Sequence, residues 1–188
     1  VAWYRGKTTA LGHDGVMGTL RVALVGFMGC GKSTVGPVLA RRLRFEFVDL
    51  DLDIQKTAGR TIPEIFEQDG ESAFRALESE CLARCARRSH LVVAPGGGVV
   101  IVQANRRLLR THFHVVYLRA RPTTLAERLR GEAEHRPLLR GHPLEDRIAR
   151  LMGERGAFYD EVASQIVDVD GKSPEAIAEE ISSGLKST

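Results

Sequence analysis

Apolar and polar positions along this chain follow two periods in turn. Short apolar runs at Arg21 to Val25, Phe45 to Val48, Leu91 to Ala94, Phe113 to Leu118 and Ile166 to Val169 have the length of buried strands. Between them the apolar residues fall at helical spacing. Val35, Val38, Leu39, Arg42 and Leu43 mark a helix over Lys32 to about Leu43, with Pro37 in its first turns, where a missing N–H is best tolerated. Further helices are predicted over Glu71 to about Arg88, around Ala104 to Arg110, and over Pro122 to Arg130, Leu144 to about Tyr159 and Pro174 to Leu185. Thr61 with Glu64 three residues on has the form of a capping box. The stretch from Gly131 to Pro143 is polar and loop-like. Strands separated by helices in this rhythm predict a parallel sheet with helices on both faces.

The length of 188 residues suits one well-buried core rather than two independent domains. Composition adds little to that, since 43% apolar and 27% charged residues are ordinary for a globular protein. The formal charge, 27 − 24 = +3, does not argue for nucleic acid. Basic residues do recur from Arg119 to Arg155, which points to a small phosphate-rich ligand. Cys30, Cys81 and Cys85 form no disulfide or zinc framework, and Cys81 and Cys85 read as core filler beside Phe74 and Leu77. A reducing, cytosolic compartment is expected, and no apolar run is long enough to span a membrane. Residues 1–16 show neither period and no signal-peptide pattern. They are expected to be a mobile extension, with translation naturally starting at Met17.

Chemistry enters with Gly26-Phe27-Met28-Gly29-Cys30-Gly31-Lys32-Ser33, a complete G-x-x-x-x-G-K-[ST] between a strand and a helix. Glycines let backbone N–H groups turn inward around phosphate oxygens, and the helix N-terminus adds positive potential. Lys32 is suited to the terminal phosphates of a nucleoside triphosphate and Ser33 to its magnesium. The motif says nothing about the acceptor. Three other groups leave their roles open. Asp49, Asp51 and Asp53 alternate after the second strand. Arg75 and Glu78 share a helix face that we place apart from the Phe74, Cys81, Cys85 stripe, and alone they fit a surface ion pair equally well. Gly96, Gly97 and Gly98 follow a strand end, either as a plain turn or as a place for backbone to approach a ligand.

Taken together, GFMGCGKSTVG (26–36), DLDLD (49–53), AGRTIPEIFEQDGESAFRALE (58–78), PGGGVV (95–100), HRPLL (135–139) and ERGAFY (154–159) resemble the shikimate kinase family, in its order and from about Leu20 to the end. The resemblance implies a three-layer α/β/α P-loop kinase fold with a five-stranded parallel sheet in a single domain over 17–188. A substrate-binding helical region at about 49–78 and a mobile lid at about 128–143 go with it. The implied reaction transfers the γ-phosphate of ATP, with Mg2+, to shikimate, giving shikimate 3-phosphate and ADP, in a monomer. Gly29, Cys30, Gly31, Lys32, Ser33 and Thr34 would hold the nucleotide phosphates, and Arg128 would stack on adenine. Asp49 with Ser33 would serve magnesium, and Asp51 would accept the proton of the acceptor hydroxyl. Arg75, held by Glu78, and Arg155 would bind the substrate carboxylate, with Gly96, Gly97 and Gly98 against its ring. Arg136 would close over the transferred phosphate. Asp53 matches no functional position and reads as a solvated charge at the start of the following helix.

Departures from the pattern sit at three places. The segment ERLRGEAEHRPLL is one residue longer than the resemblance expects, so Arg130 competes with Arg128 for the adenine. Gln55 stands where an acidic residue is common, and Pro95 stiffens the approach to the glycines. The rival readings are a kinase for gluconate or a nucleotide, a catalytically silent ATP-binding module, and a nucleic-acid-dependent ATPase. The first lacks this pair of arginines, and the second should have lost Asp51, Arg75 or Arg136. The third wants a broad basic face.

Overall fold

The computed structural model describes residues 20–130 and 143–186. The extension at 1–16, most of the lid and Arg136 lie outside the described residues. Strands β1 (Arg21–Val25), β2 (Glu46–Asp49), β3 (Leu91–Ala94), β4 (His114–Arg119) and β5 (Gln165–Asp168) form one parallel sheet in the order β2-β3-β1-β4-β5. Helices α1 (Lys32–Leu43), α2 (Leu50–Ala58), α3 (Ile62–Gln68), α4 (Gly70–Cys85), α5 (Gln103–His112), α6 (Pro122–Leu129), α7 (Leu144–Val162) and α8 (Pro174–Leu185) make the crossovers. None of these helices is long and apolar enough to cross a membrane.

The central strand shows why its sequence is apolar after Arg21. Val22 and Leu24 face one core with Leu39 of α1, Leu125 of α6 and Ile177 and Ile181 of α8. Ala23 and Val25 face the other, with Leu50, Ile65, Leu82, Leu109 and Tyr159 from α2, α3, α4, α5 and α7. Where a strand is covered on both faces, as from Val22 to Val25, no position is left for a polar side chain. Because β1 lies between β3 and β4, the connections on its two sides leave in opposite directions and open a crevice at its carboxyl end. The phosphate-loop motif leaves β1 at that point.

Several boundaries move for local reasons. Phe45 closes α1 instead of opening β2. Arg44 adopts φ 59, and the Phe45 N–H donates to Ala40 O at 2.8 Å. Helix α4 starts at Gly70, whose φ of 83 turns the chain out of α3, and ends at Cys85, with residues 86–88 in turns. Helix α7 runs on past Tyr159 to Val162, which is buried in the core. The capping box forms: the Thr61 hydroxyl accepts from Glu64 N, and Glu64 Oε2 accepts from Thr61 N at 2.7 Å. Cys81 and Cys85 are buried on α4 as core residues, and Cys30 is buried as well.

Candidate active site

The loop after β1 needs glycine at its turning points. Gly26 has φ 144, and a Cβ there would lie 2.6 Å from Leu118 O. Gly31, at φ 102, is the N-cap of α1 and carries no side chain to occupy the free N–H groups of the first turn. No acidic residue sits in that turn, so the helix end presents donors and positive potential to the crevice. Lys32 is buried, and its Nζ donates to Gly26 O at 2.9 Å and Phe27 O at 3.1 Å. It makes no ion pair with a described carboxylate, so its charge is available to phosphate.

Asp49 ends β2 and caps α2. Its Oδ1 accepts from Asp51 N at 3.1 Å and Leu52 N at 3.3 Å, while Oδ2 accepts from Ser33 Oγ at 2.6 Å. A hydroxyl and a carboxylate held together beside the phosphate loop are the hard oxygen donors that magnesium takes. Among the described residues no group of three or more His, Cys, Asp and Glu could hold a metal ion. That suits an ion that brings most of its ligands with nucleotide phosphates. Because α2 begins at Leu50, Asp51 and Asp53 lie on a helix, not on a strand, and diverge. Asp51 turns to the cleft, and a Cβ on Gly96 would come within 2.9 Å of its Oδ1. Asp53 turns away and pairs with Arg84 of α4 at 2.9 Å. The expected solvated bystander instead ties α2 to α4.

Glu78 corrects a second expectation. It lies on the same stripe as Phe74, Cys81 and Cys85, fully buried, and not on a separate face. Residues 74, 78, 81 and 85 follow the helical repeat, so a carboxylate has entered the core. Burial pushes its pKa up to about 7 against the opposing pull of Arg75. Arg75 Nη1 reaches Glu78 Oε2 at 2.8 Å, and its Nη2 reaches Glu71 Oε1 at 3.0 Å. Burial works against the Arg75 charge, and the carboxylates of Glu78 and Glu71 outweigh it, leaving its pKa raised.

Each glycine of the 96–98 run admits a different neighbour. A side chain at Gly96 would meet the Glu78 and Asp51 carboxylates, and one at Gly98 would overlap the Arg75 guanidinium. At Gly97 a Cβ would press on Met28 N at 3.1 Å, so that glycine lets the two loops abut. The Tyr159 hydroxyl donates to Gly97 O from α7. Tyr159 is buried and stacked on Tyr117 at 5.1 Å, and burial raises its pKa. The ERGAFY motif by itself assigns this tyrosine no task. A buried tyrosine needs a partner for its hydroxyl, but nothing local says where that partner is.

One helical turn before Tyr159 stands Arg155, 3% exposed, with no hydrogen-bond partner for Nε or Nη1 among the described residues. It lines the same cleft, of about 770 Å³, as Lys32, Ser33, Asp49, Asp51 and Arg75. Tyr159 and Glu78 both feel its charge, but two unmade donors on a buried guanidinium cost on the order of a few kcal/mol, so an anion entering here is favoured. Arg128 also lines the cleft and donates to Gly29 O at 3.2 Å, whereas Arg130 does not line it. Lys172, Pro174 and Ile177 line the cleft as well, and its apolar lining includes Met28, Ile62, Pro63 and Phe66. Gln55 is explained by its backbone partner, since its Oε1 accepts from Ile62 N at 3.3 Å and closes the start of α3.

The shikimate kinase family model matches residues 28–186. "Shikimate kinase 2" of Enterobacter sp. (strain 638) is 43% identical over 170 residues, covering 89% of this chain and 97% of the relative. The solved shikimate kinase from Acinetobacter baumannii, in complex with shikimate, superposes with a TM-score of 0.87 at 35% identity, covering 91% of this chain and 95% of that one. A gluconokinase from Sinorhizobium meliloti 1021 shares the fold alone, with a TM-score of 0.59 at 19% identity, covering 90% and 93% of the two chains. With strands β2 to β5, all eight helices and all but the first two residues of the phosphate loop inside the matched range, the chain belongs to the shikimate kinase family.

Proposed function

We propose that the cleft between β1, β2 and α7 carries the shikimate kinase reaction, in which the γ-phosphate of ATP passes to the 3-hydroxyl of shikimate. The observation that supports this assignment is the buried Arg155, with two nitrogens lacking partners among the described residues, in the same cleft as Arg75 and the phosphate loop. A planar carboxylate accepts from both guanidinium groups, which orients an acidic ring compound with its hydroxyls toward Asp51 and Gly96–Gly98. As the acceptor oxygen bonds to the γ-phosphorus, its proton moves to the Asp51 carboxylate. The bond from that phosphorus to the β–γ bridging oxygen breaks, and ADP leaves.

Lys32 and the open end of α1 stabilise the charge that spreads over the phosphoryl oxygens. The Ser33 hydroxyl and Asp49 carboxylate would hold magnesium, which neutralises phosphate charge when bound. Gly29, Cys30, Gly31 and Thr34 surround the phosphates, and Arg128 takes the adenine side. Arg136, on a lid at about 128–143, closes over the transferred group and excludes water. On the same reading, 17–188 is one kinase domain with its substrate region at about 49–78, and the chain is a cytosolic monomer. Three free, buried cysteines suit a reducing compartment.

The test is ADP release in a coupled assay with shikimate, gluconate and nucleoside monophosphates offered in turn. Shikimate alone should stimulate release; no stimulation by shikimate overturns the reading.

A further inference from the structure

The glycine run can place substrate only if its far end is held as firmly as its near end. After Gly98 the chain forms a single 3-10 turn, Val99–Ile101, in which Val99 N donates to Gly96 O at 3.1 Å and Ile101 N to Gly98 O at 3.0 Å. A short 3-10 turn leaves its last carbonyls without partners of its own. Arg106 of α5 takes two of them: its Nη1 donates to Val100 O at 2.7 Å and to Ile101 O at 3.1 Å. The other sides of the same guanidinium meet α7. Its Cζ lies 4.2 Å from the centre of the Phe158 ring, and its Nε lies 2.9 Å from Glu161 Oε2. The side chain is only 12% exposed, so this is an enclosed, four-sided contact rather than a surface pair.

Helix α7 is the element that carries Arg155, one turn before Phe158. It already grips the middle of the glycine run through the Tyr159 hydroxyl on Gly97 O. Arg106 of α5 adds a second grip just past the end of the run, by bridging the Val100 and Ile101 carbonyls to Phe158 and Glu161 of α7. Two contacts fix both the position and the tilt of the run against α7, where one would leave it free to pivot.

We propose that Arg106 is a positioning residue for the acceptor substrate: by clasping the carbonyls of Val100 and Ile101 against Phe158 and Glu161, it sets the distance from the Gly96–Gly98 backbone to Arg155. The proposal rests on the reading of Arg155 and the glycine run as the substrate site. Only an arginine fits the position, since a lysine ammonium cannot reach two carbonyls, stack on a ring and face a carboxylate at once. Among the described residues Arg106 makes no hydrogen bond or ion pair to the phosphate loop, so the effect of breaking the clasp falls first on the acceptor side.

The experiment measures kcat and the separate KM values for shikimate and MgATP in Arg106→Gln, Arg106→Lys and Phe158→Leu, with circular dichroism to confirm folding at the assay temperature. Arg106→Gln should raise the shikimate KM by about tenfold or more and leave the ATP KM within about twofold. Arg106→Lys should recover only part of that loss. Equal rises in both KM values, or an unchanged shikimate KM with a lowered melting temperature, make Arg106 a merely structural residue and overturn the proposal. If Arg106→Gln does not fold, Phe158→Leu decides, because it keeps the carbonyl contacts. A shikimate KM raised by about two- to threefold supports the clasp, and an unchanged one overturns it. Failure of the underlying reading would show separately, as absence of shikimate-dependent ADP release in the unaltered protein.

Discussion

Asp51 and Asp53 are two positions apart and carry the same group, yet the backbone sends one to the cleft and the other to Arg84. Asp51→Asn should lower kcat by roughly 10²–10⁴-fold, the range of lost general-base catalysis, with nucleotide affinity preserved. Asp53→Asn should leave kcat and both KM values unchanged and cost at most about 1 kcal/mol, because its pair with Arg84 is partly exposed. Steady-state kinetics with a binding titration for ATP check both; identical behaviour of the two variants would refute the division. Glu78 poses a different question, that of a carboxyl inside the core. Its native pKa of about 7 lies above its ordinary 4.5. The native state therefore keeps a proton that the unfolded state releases. The corresponding stability is fully present below about pH 4.5 and is lost as pH rises through about 7. Urea unfolding across about pH 5 to 8 should show the unaltered protein losing stability relative to Glu78→Gln as pH rises. Parallel profiles would mean that Glu78 is already ionised at low pH.

At the scale of the element, the site is made of ends: the end of β1, the start of α1, the end of β2 with the start of α2, and the run after β3. Ends offer backbone groups that no ladder or helix has used, which is why ligands gather there. The glycine run illustrates how little room this leaves. Gly98→Ala sets a methyl group on the Arg75 guanidinium, so Arg75 must move. The shikimate KM should rise by about tenfold or more, with the ATP KM nearly constant. Gly153→Ala on α7 is the matched control, because a Cβ there meets nothing within 4 Å. It should raise stability by about 0.5–1 kcal/mol through helix propensity and leave kinetics alone. Kinetics and thermal melts on the two variants give the comparison.

On the scale of the whole molecule, the reaction needs a cleft that closes, since water in place of the acceptor would hydrolyse ATP. The described residues supply the lining of the cleft. The proposed lid, with Arg136, would supply the cover. Limited proteolysis within residues 131–143 should slow when shikimate and a non-hydrolysable ATP analogue are both bound, and unchanged cutting would count against closure. Both ligands together should also raise the melting temperature more than either alone, because each binds only the folded cleft.

What the sequence determined by itself is what depends on near neighbours. The five apolar runs, the start and stop of α1 and α8, the capping box at Thr61 and the phosphate loop are all short-range patterns. Each shows in a window of a dozen residues, because backbone hydrogen bonds and amphipathic faces are set locally. With the family resemblance, the same residues name the chemistry. Tertiary structure alone decided what depends on partners far along the chain. Asp53 meets Arg84, Tyr159 meets Gly97, and Arg106 meets Val100 on one side and Phe158 on the other. It also decided that Glu78 is a core residue and that Arg155 is buried with two nitrogens that lack hydrogen-bond partners among the described residues. No periodicity can report such facts. The cost of burying a charge depends on which other chain segments pack around it, and that is known only once the sheet and its helices have closed.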